Sequence, residues 1–158
     1  MLVRHAKSAW PDDVADHERP LNKRGRRDAP AVGHWLGENA VLPQVALVSS
    51  ARRAVETADL IIAELGSPVR QIVSDEAYNA STGQLLELVR LLPAEADAVM
   101  LVGHNPGIEA LATQLVESGA KLGEFPTSAL AALEFDGDWD SVEPGGGTLI
   151  AFAVPRGS

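Results

Sequence analysis

Residues 98–107 read Ala98-Val99-Met100-Leu101-Val102-Gly103-His104-Asn105-Pro106-Gly107. An unbroken apolar run ended by a glycine has the length and composition of a strand buried on both faces. Gly103 permits a tight turn, Asn105 suits the capping position of a helix, and Pro106 suits its first residue. Ile108, Leu111, Ala112 and Leu115 then recur at helical spacing. A buried strand running straight into an amphipathic helix is half of a parallel-sheet unit, because parallel neighbours need a crossover and a helix supplies one.

Outward from this stretch the unit repeats. Val45 to Val48 form another apolar run, Ser49 and Ser50 follow as capping residues, and Ala51, Val55, Ala58 and Ile62 recur at helical spacing. Leu2-Val3 reads as a further strand, although only three residues precede Arg4, which is short for a buried strand. Leu149 to Val154 and Ala129 to Phe135 complete the strands, and Leu85, Leu88, Val89 and Leu92 mark another helix. The helix after the first strand is expected to begin near Asp28, since a start capped by Asn22 would be interrupted by Pro30. Gly119 to Pro126 and Asp136 to Gly147 read as loops. The fold class expected is α/β: a three-layer α/β/α sandwich with a mostly parallel central sheet. At 158 residues, 46% apolar but only 4% aromatic, the chain fits a single domain over residues 1–158 with an aliphatic core.

Charge and cysteine narrow the function. A net charge of −9 repels nucleic acid and anionic membrane surfaces. The chain has no cysteine, which removes disulfides and thiolate chemistry and agrees with a cytoplasmic protein. No apolar run approaches a membrane span, and the first residues do not read as a signal peptide. The terminal Pro155-Arg156-Gly157-Ser158 carries no functional weight in this reading.

Against that acidic background, cations stand directly after strands: Arg4-His5 after Leu2-Val3, Arg52-Arg53 after Val48, and His104 after Val102. Carboxyl ends of parallel strands converge on one crevice, where helix N-termini also favour anions. A cluster of Arg4, His5, Arg52 and His104 is costly unless an anion shares it, so the pattern describes a phosphate-sized pocket. Arg53 reads as the solvated neighbour, and His17 and His34 as surface residues.

The segments Leu2-Val3-Arg4-His5-Ala6-Lys7-Ser8, Arg19-Pro20-Leu21-Asn22-Lys23-Arg24-Gly25, Ser49-Ser50-Ala51-Arg52-Arg53-Ala54-Val55-Glu56-Thr57-Ala58 and Val102-Gly103-His104-Asn105-Pro106-Gly107 together resemble the histidine phosphatase superfamily, and within it the phosphohistidine phosphatase SixA branch. The resemblance implies a phosphoglycerate-mutase-like fold and a metal-independent phosphohydrolase without cofactor. It implies His5 as a nucleophile that becomes phosphorylated, with Arg4, Arg52 and His104 holding the phosphoryl oxygens. It implies substrate contacts from Asn22, Ser8 and Asn79, with Asn79 where relatives carry a general acid and Glu76 as the nearby carboxylate that could substitute. Only 51 residues separate Arg52 from His104, too few for the long cover of the mutases. An open pocket without an assured acid points to phosphohistidine on a protein, whose imidazole can leave neutral. The competing readings are a small-molecule phosphomonoesterase or mutase-like enzyme, a non-catalytic phospholigand-binding module, and a two-histidine metal hydrolase. The last is disfavoured because two arginines would repel a cation.

Overall fold

In the computed structural model, which describes Met1–Ser158, the elements run β1 (Leu2–Arg4), α1 (Lys23–Glu38), β2 (Val45–Ser49), α2 (Arg52–Ala63), β3 (Arg70–Ser74), α3 (Thr82–Arg90), β4 (Val99–Gly103), α4 (Gly107–Leu115), β5 (Leu130–Glu134) and β6 (Thr148–Ala153). Single 3-10 turns lie at Asp16–Glu18, Asp75–Ala77 and Trp139–Ser141. The strands form one sheet in the order β3-β2-β4-β1-β5-β6. The first four are parallel, with Val48 opposite Val102 and Leu2 opposite Leu101. β5 and β6 are antiparallel, with Leu2 opposite Ala131 and Leu130 opposite Ala153. The sheet is therefore mixed, and "mostly parallel" holds for its first four strands.

Side chains alternate across a strand, and here the alternation divides the core in two. Val3, Ala46, Val48, Met100, Val102 and Leu130 pack against Val32 and Leu36 of α1 and Ala54, Ala58 and Ile61 of α2. Leu2, Val45, Leu47, Val99, Leu101 and Ala131 pack against Leu85 and Val89 of α3 and Ile108, Leu111 and Leu115 of α4. This is the three-layer arrangement expected. No helix is long and apolar enough to cross a membrane.

Helix α1 departs from expectation. It starts at Lys23 rather than near Asp28: the Asn22 side chain accepts from Gly25 N at 2.9 Å, and Pro30 sits inside the helix. An interior proline costs roughly 3 kcal/mol. Fully buried Val32 and Leu36 each contribute about 1.5–3 kcal/mol, so tertiary packing carries the helix past it. The other N-termini also differ. Ala51 and Pro106, not Ser50 and Asn105, stand at the caps of α2 and α4, and neither makes a side-chain cap. Ser49 Oγ accepts from Ala51 N at 3.3 Å, and Asn105 Oδ1 accepts from Glu109 N at 3.3 Å.

Candidate active site

β1 and β4 run side by side, so the residues just past their ends meet. His5 N donates to Gly103 O at 3.0 Å, extending the pairing by one residue beyond Arg4. The His5 and His104 rings stand 5.1 Å apart, tilted at 55°. His5 is buried and its Nδ1 lies 2.7 Å from Ala6 O. A carbonyl only accepts, so Nδ1 carries the hydrogen and Nε2 keeps its lone pair. The turn after His5 is locked from α2: Ala6 N donates to Thr57 Oγ1 at 3.0 Å, and Thr57 Oγ1 donates to Arg53 O at 2.6 Å.

Cations surround these rings. Arg4 donates through one terminal nitrogen to Phe125 O at 3.1 Å, while its Nε is buried with no protein partner. His104 Nε2 lies 2.7 Å from Ser49 Oγ, and its Nδ1 is likewise buried without a protein partner. Burial first, and then repulsion from Arg53, Arg4 and the His104 ring whenever that ring is protonated, push His5 down to about 3 against the opposing bond to Ala6 O. Burial and then Arg53 push His104 down to about 4. Both imidazoles are thus neutral near pH 7, which leaves His5 an unprotonated nitrogen to offer. The chemistry such a donor set fits is binding of a tetrahedral oxyanion with a nucleophile beneath it. It does not fit a cation, and no group of three or more His, Asp or Glu is gathered as a metal site.

The second arginine is not the one expected. Arg52 points outward, half exposed, with its Nε 2.7 Å from Glu56 Oε1. Arg53 is buried, and its guanidinium donates to Asp16 O at 2.8 Å and to Asp16 Oδ2 at 3.1 Å. The physical reason is helix phase. The face of α2 turned to the sheet is Arg53, Ala54, Thr57, Ala58 and Ile61; of the stripe Ala51, Val55, Ala58 and Ile62, Ala51 and Ala58 are fully buried while Val55 and Ile62 sit at its partly buried margin.

Other expectations divide. Asn79, in the left-handed region at φ 54°, lines a depression of about 300 Å³ with Ser81, Gln84, His104, Asn105 and Pro106. Glu76 does not reach it; exposed, it lines a separate depression with Gln84 and Glu87. Ser8 Oγ accepts from the Arg19 guanidinium, and Asn22 Oδ1 caps α1, so each also braces the loop after β1. Two residues absent from the sequence reading stand close by. The Tyr78 ring lies edge-on to His104 at 5.8 Å, and its hydroxyl donates to Asp16 Oδ2 at 2.5 Å. That bond from Tyr78, followed by those from Arg19 and Arg53, holds the Asp16 carboxyl well below the usual carboxylate range. His17, read as a surface residue, packs edge-on to Tyr78 at 4.8 Å and bonds Ser50 Oγ at 2.8 Å, at the rim.

Residues 1–77 match the family described as histidine phosphatase superfamily (branch 1). An uncharacterised protein of Mycobacterium tuberculosis is 38% identical over 162 residues, covering 98% of this chain and 100% of that one. The fold is also that of a candidate phosphohistidine phosphatase SixA from Nakamurella multipartitia, 31% identical, with a TM-score of 0.82 over 98% of this chain and 94% of that one. A protein histidine phosphatase SixA complexed with tungstate is 27% identical, with a TM-score of 0.81 over 97% of this chain and 94% of that one.

Proposed function

Because the chain belongs to the histidine phosphatase superfamily and is a phosphatase, we propose that it removes phosphate from phosphohistidine on a protein, with His5 as nucleophile. The observation that carries this reading is the tether of His5 Nδ1 to Ala6 O, which leaves Nε2 unprotonated among Arg4, Arg53 and His104. In the first step Nε2 attacks phosphorus, the bond from phosphorus to the substrate nitrogen breaks, and the substrate imidazole leaves. In the second, water attacks the phosphorylated His5, releasing inorganic phosphate and restoring the free ring. Splitting the transfer in this way replaces one difficult displacement by two easier ones.

Arg4, Arg53 and His104 stabilise the charge spread over the equatorial oxygens, the main protein contribution to phosphoryl transfer. Arg53 takes the part first given to Arg52. Glu76 is turned to another depression, and Tyr78, Arg19 and Arg53 hold the Asp16 carboxyl ionised, so neither offers a proton to a poor leaving group, whereas an imidazole can depart neutral. Residues 1–158 act as one domain in the cytoplasm, without metal or cofactor.

Turnover of a phosphohistidine protein, phosphoserine peptides, sugar phosphates and 4-nitrophenyl phosphate, each with and without EDTA, tests it. Phosphohistidine and the aryl ester should exceed alkyl phosphates by roughly 10²- to 10⁴-fold, the scale of general acid assistance, with no effect of chelator. Acid-labile label should be trapped on wild type and not on His5→Ala. Comparable rates on sugar phosphates would favour the small-molecule phosphomonoesterase, and binding without turnover the phospholigand module.

A further inference from the structure

Trp10 is 75% exposed, the second most exposed of the large apolar side chains, and it stands in the loop that leaves β1. A single exposed apolar residue is ordinarily unremarkable. This one is fixed. The Arg19 guanidinium carbon lies 3.3 Å from the centre of the indole, stacked on one face. Arg19 is itself buried and held through all three of its nitrogens: its Nε donates to Ala9 O at 3.0 Å, one terminal nitrogen to Asp16 Oδ1 at 2.9 Å, and the other to Ser8 Oγ. The indole is therefore presented on a rigid mount, with its other face turned to solvent.

The mount is shared with the pocket. Asp16 accepts from Arg19 through Oδ1 and from Arg53 and Tyr78 through Oδ2. One carboxylate thus fixes the indole relative to the phosphate-facing arginine. The surroundings of the indole also have a sign. Asp12 and Asp13 follow within three residues, both exposed and neither in an ion pair.

We propose that Trp10, flanked by Asp12 and Asp13, is a docking platform for the phosphoprotein substrate, and that it takes a lysine- or arginine-bearing surface next to the phosphohistidine. The proposal rests on the phosphohistidine reading of the pocket and adds how the carrier is chosen. A pre-organised tryptophan loses little freedom on binding and is the residue type most often dominant at interfaces. Its free face attracts a cation or an aliphatic stem, and the two carboxylates favour positive charge. A small phosphate ester has nothing to lay on the indole and gains nothing from the carboxylates.

The test compares three substrates: histone H4 phosphorylated on histidine, the same histone with its lysines succinylated before phosphorylation, and 4-nitrophenyl phosphate. For Trp10→Ala, KM on the phosphohistone should rise about tenfold or more, with kcat and the melting temperature little changed. Its kcat/KM on 4-nitrophenyl phosphate should stay at the wild-type value. Trp10→Phe should recover most of the loss. Succinylated phosphohistone should show a high KM with wild type and no further rise with Trp10→Ala, and Asp12→Asn with Asp13→Asn should weaken the salt dependence of KM on the unmodified carrier. An equal loss on 4-nitrophenyl phosphate would overturn the proposal, making Trp10 a brace for the pocket through Arg19. So would an unchanged KM on phosphohistone while wild type turns it over. If wild type hydrolyses the aryl ester but ignores phosphohistone altogether, the underlying reading of the substrate has failed, and the platform with it.

Discussion

Two adjacent arginines separate what the sequence discloses at the level of single residues from what it conceals. Arg52 and Arg53 carry the same chemistry after the same strand, and only the phase of α2 distinguishes them. A shift of one residue turns a side chain by about 100° round a helix. It sends Arg52 to Glu56 in solvent and Arg53 to Asp16 beside the imidazoles. A signal existed: Thr57, four residues on and fully buried, marks the inward face that Arg53 shares. His5, His104 and Arg4 were legible because strand ends fix their direction without reference to helix phase. Asp16 and Tyr78 were not, since their meeting joins two loops 62 residues apart in sequence. Arg53→Ala should lower kcat on 4-nitrophenyl phosphate by roughly 10²- to 10³-fold, the scale for losing one transition-state donor. Arg52→Ala should change it by less than about threefold. The opposite ranking in steady-state assays would return the role to Arg52.

At the level of elements, the buried parallel strands and the amphipathic helices α3 and α4 were readable, because each has a one-sided or two-sided apolar signature. β3 was not. It lies at the sheet edge as Arg70-Gln71-Ile72-Val73-Ser74, with only Ile72 packed on the core and Val73 53% exposed. An edge strand with a polar surface leaves no run and little alternation to detect. α1 starts earlier than its proline suggests because proline chemistry is local and the packing that overrides it is not. The entry to this helix also sets the loop after His5. A Cβ on Gly25 would lie 2.1 Å from Lys7 O, and Asn22 N donates to that same carbonyl at 3.0 Å. Gly25→Ala must push the backbone away from Lys7, two residues beyond His5. It should lower thermal stability and kcat together, whereas Gly37→Ala, where a Cβ meets nothing within 4 Å, should raise stability slightly and leave kcat alone. Unfolding curves and kcat for the two variants check this, and a Gly25→Ala enzyme with unaltered kcat would show that the loop does not depend on this contact.

For the molecule as a whole, the neutral histidines make stability depend on pH. His5 and His104 are held at about 3 and about 4, below the 6.5 of a free imidazole. Below pH 6.5 the unfolded chain takes up protons that the folded chain refuses, so stability present above that pH is lost progressively as pH falls toward 4 and 3. Melting temperature should therefore decline over this window, and less steeply in His104→Gln, which has no imidazole to protonate on unfolding. Parallel curves for the two proteins would mean that His104 is not held neutral. The order of the strands has a consequence for how the chain is made. β1 lies in the middle of the sheet, yet its partners are Leu101 to Gly103 on one side and Leu130 to Ala131 on the other. Closing such separations costs entropy before any contact repays it. A chain growing on the ribosome makes His5 before β4 and β5 and cannot seat it until both have emerged. The residue proposed as nucleophile is translated before the strands that seat it, so its pocket can close only after β5 has been made.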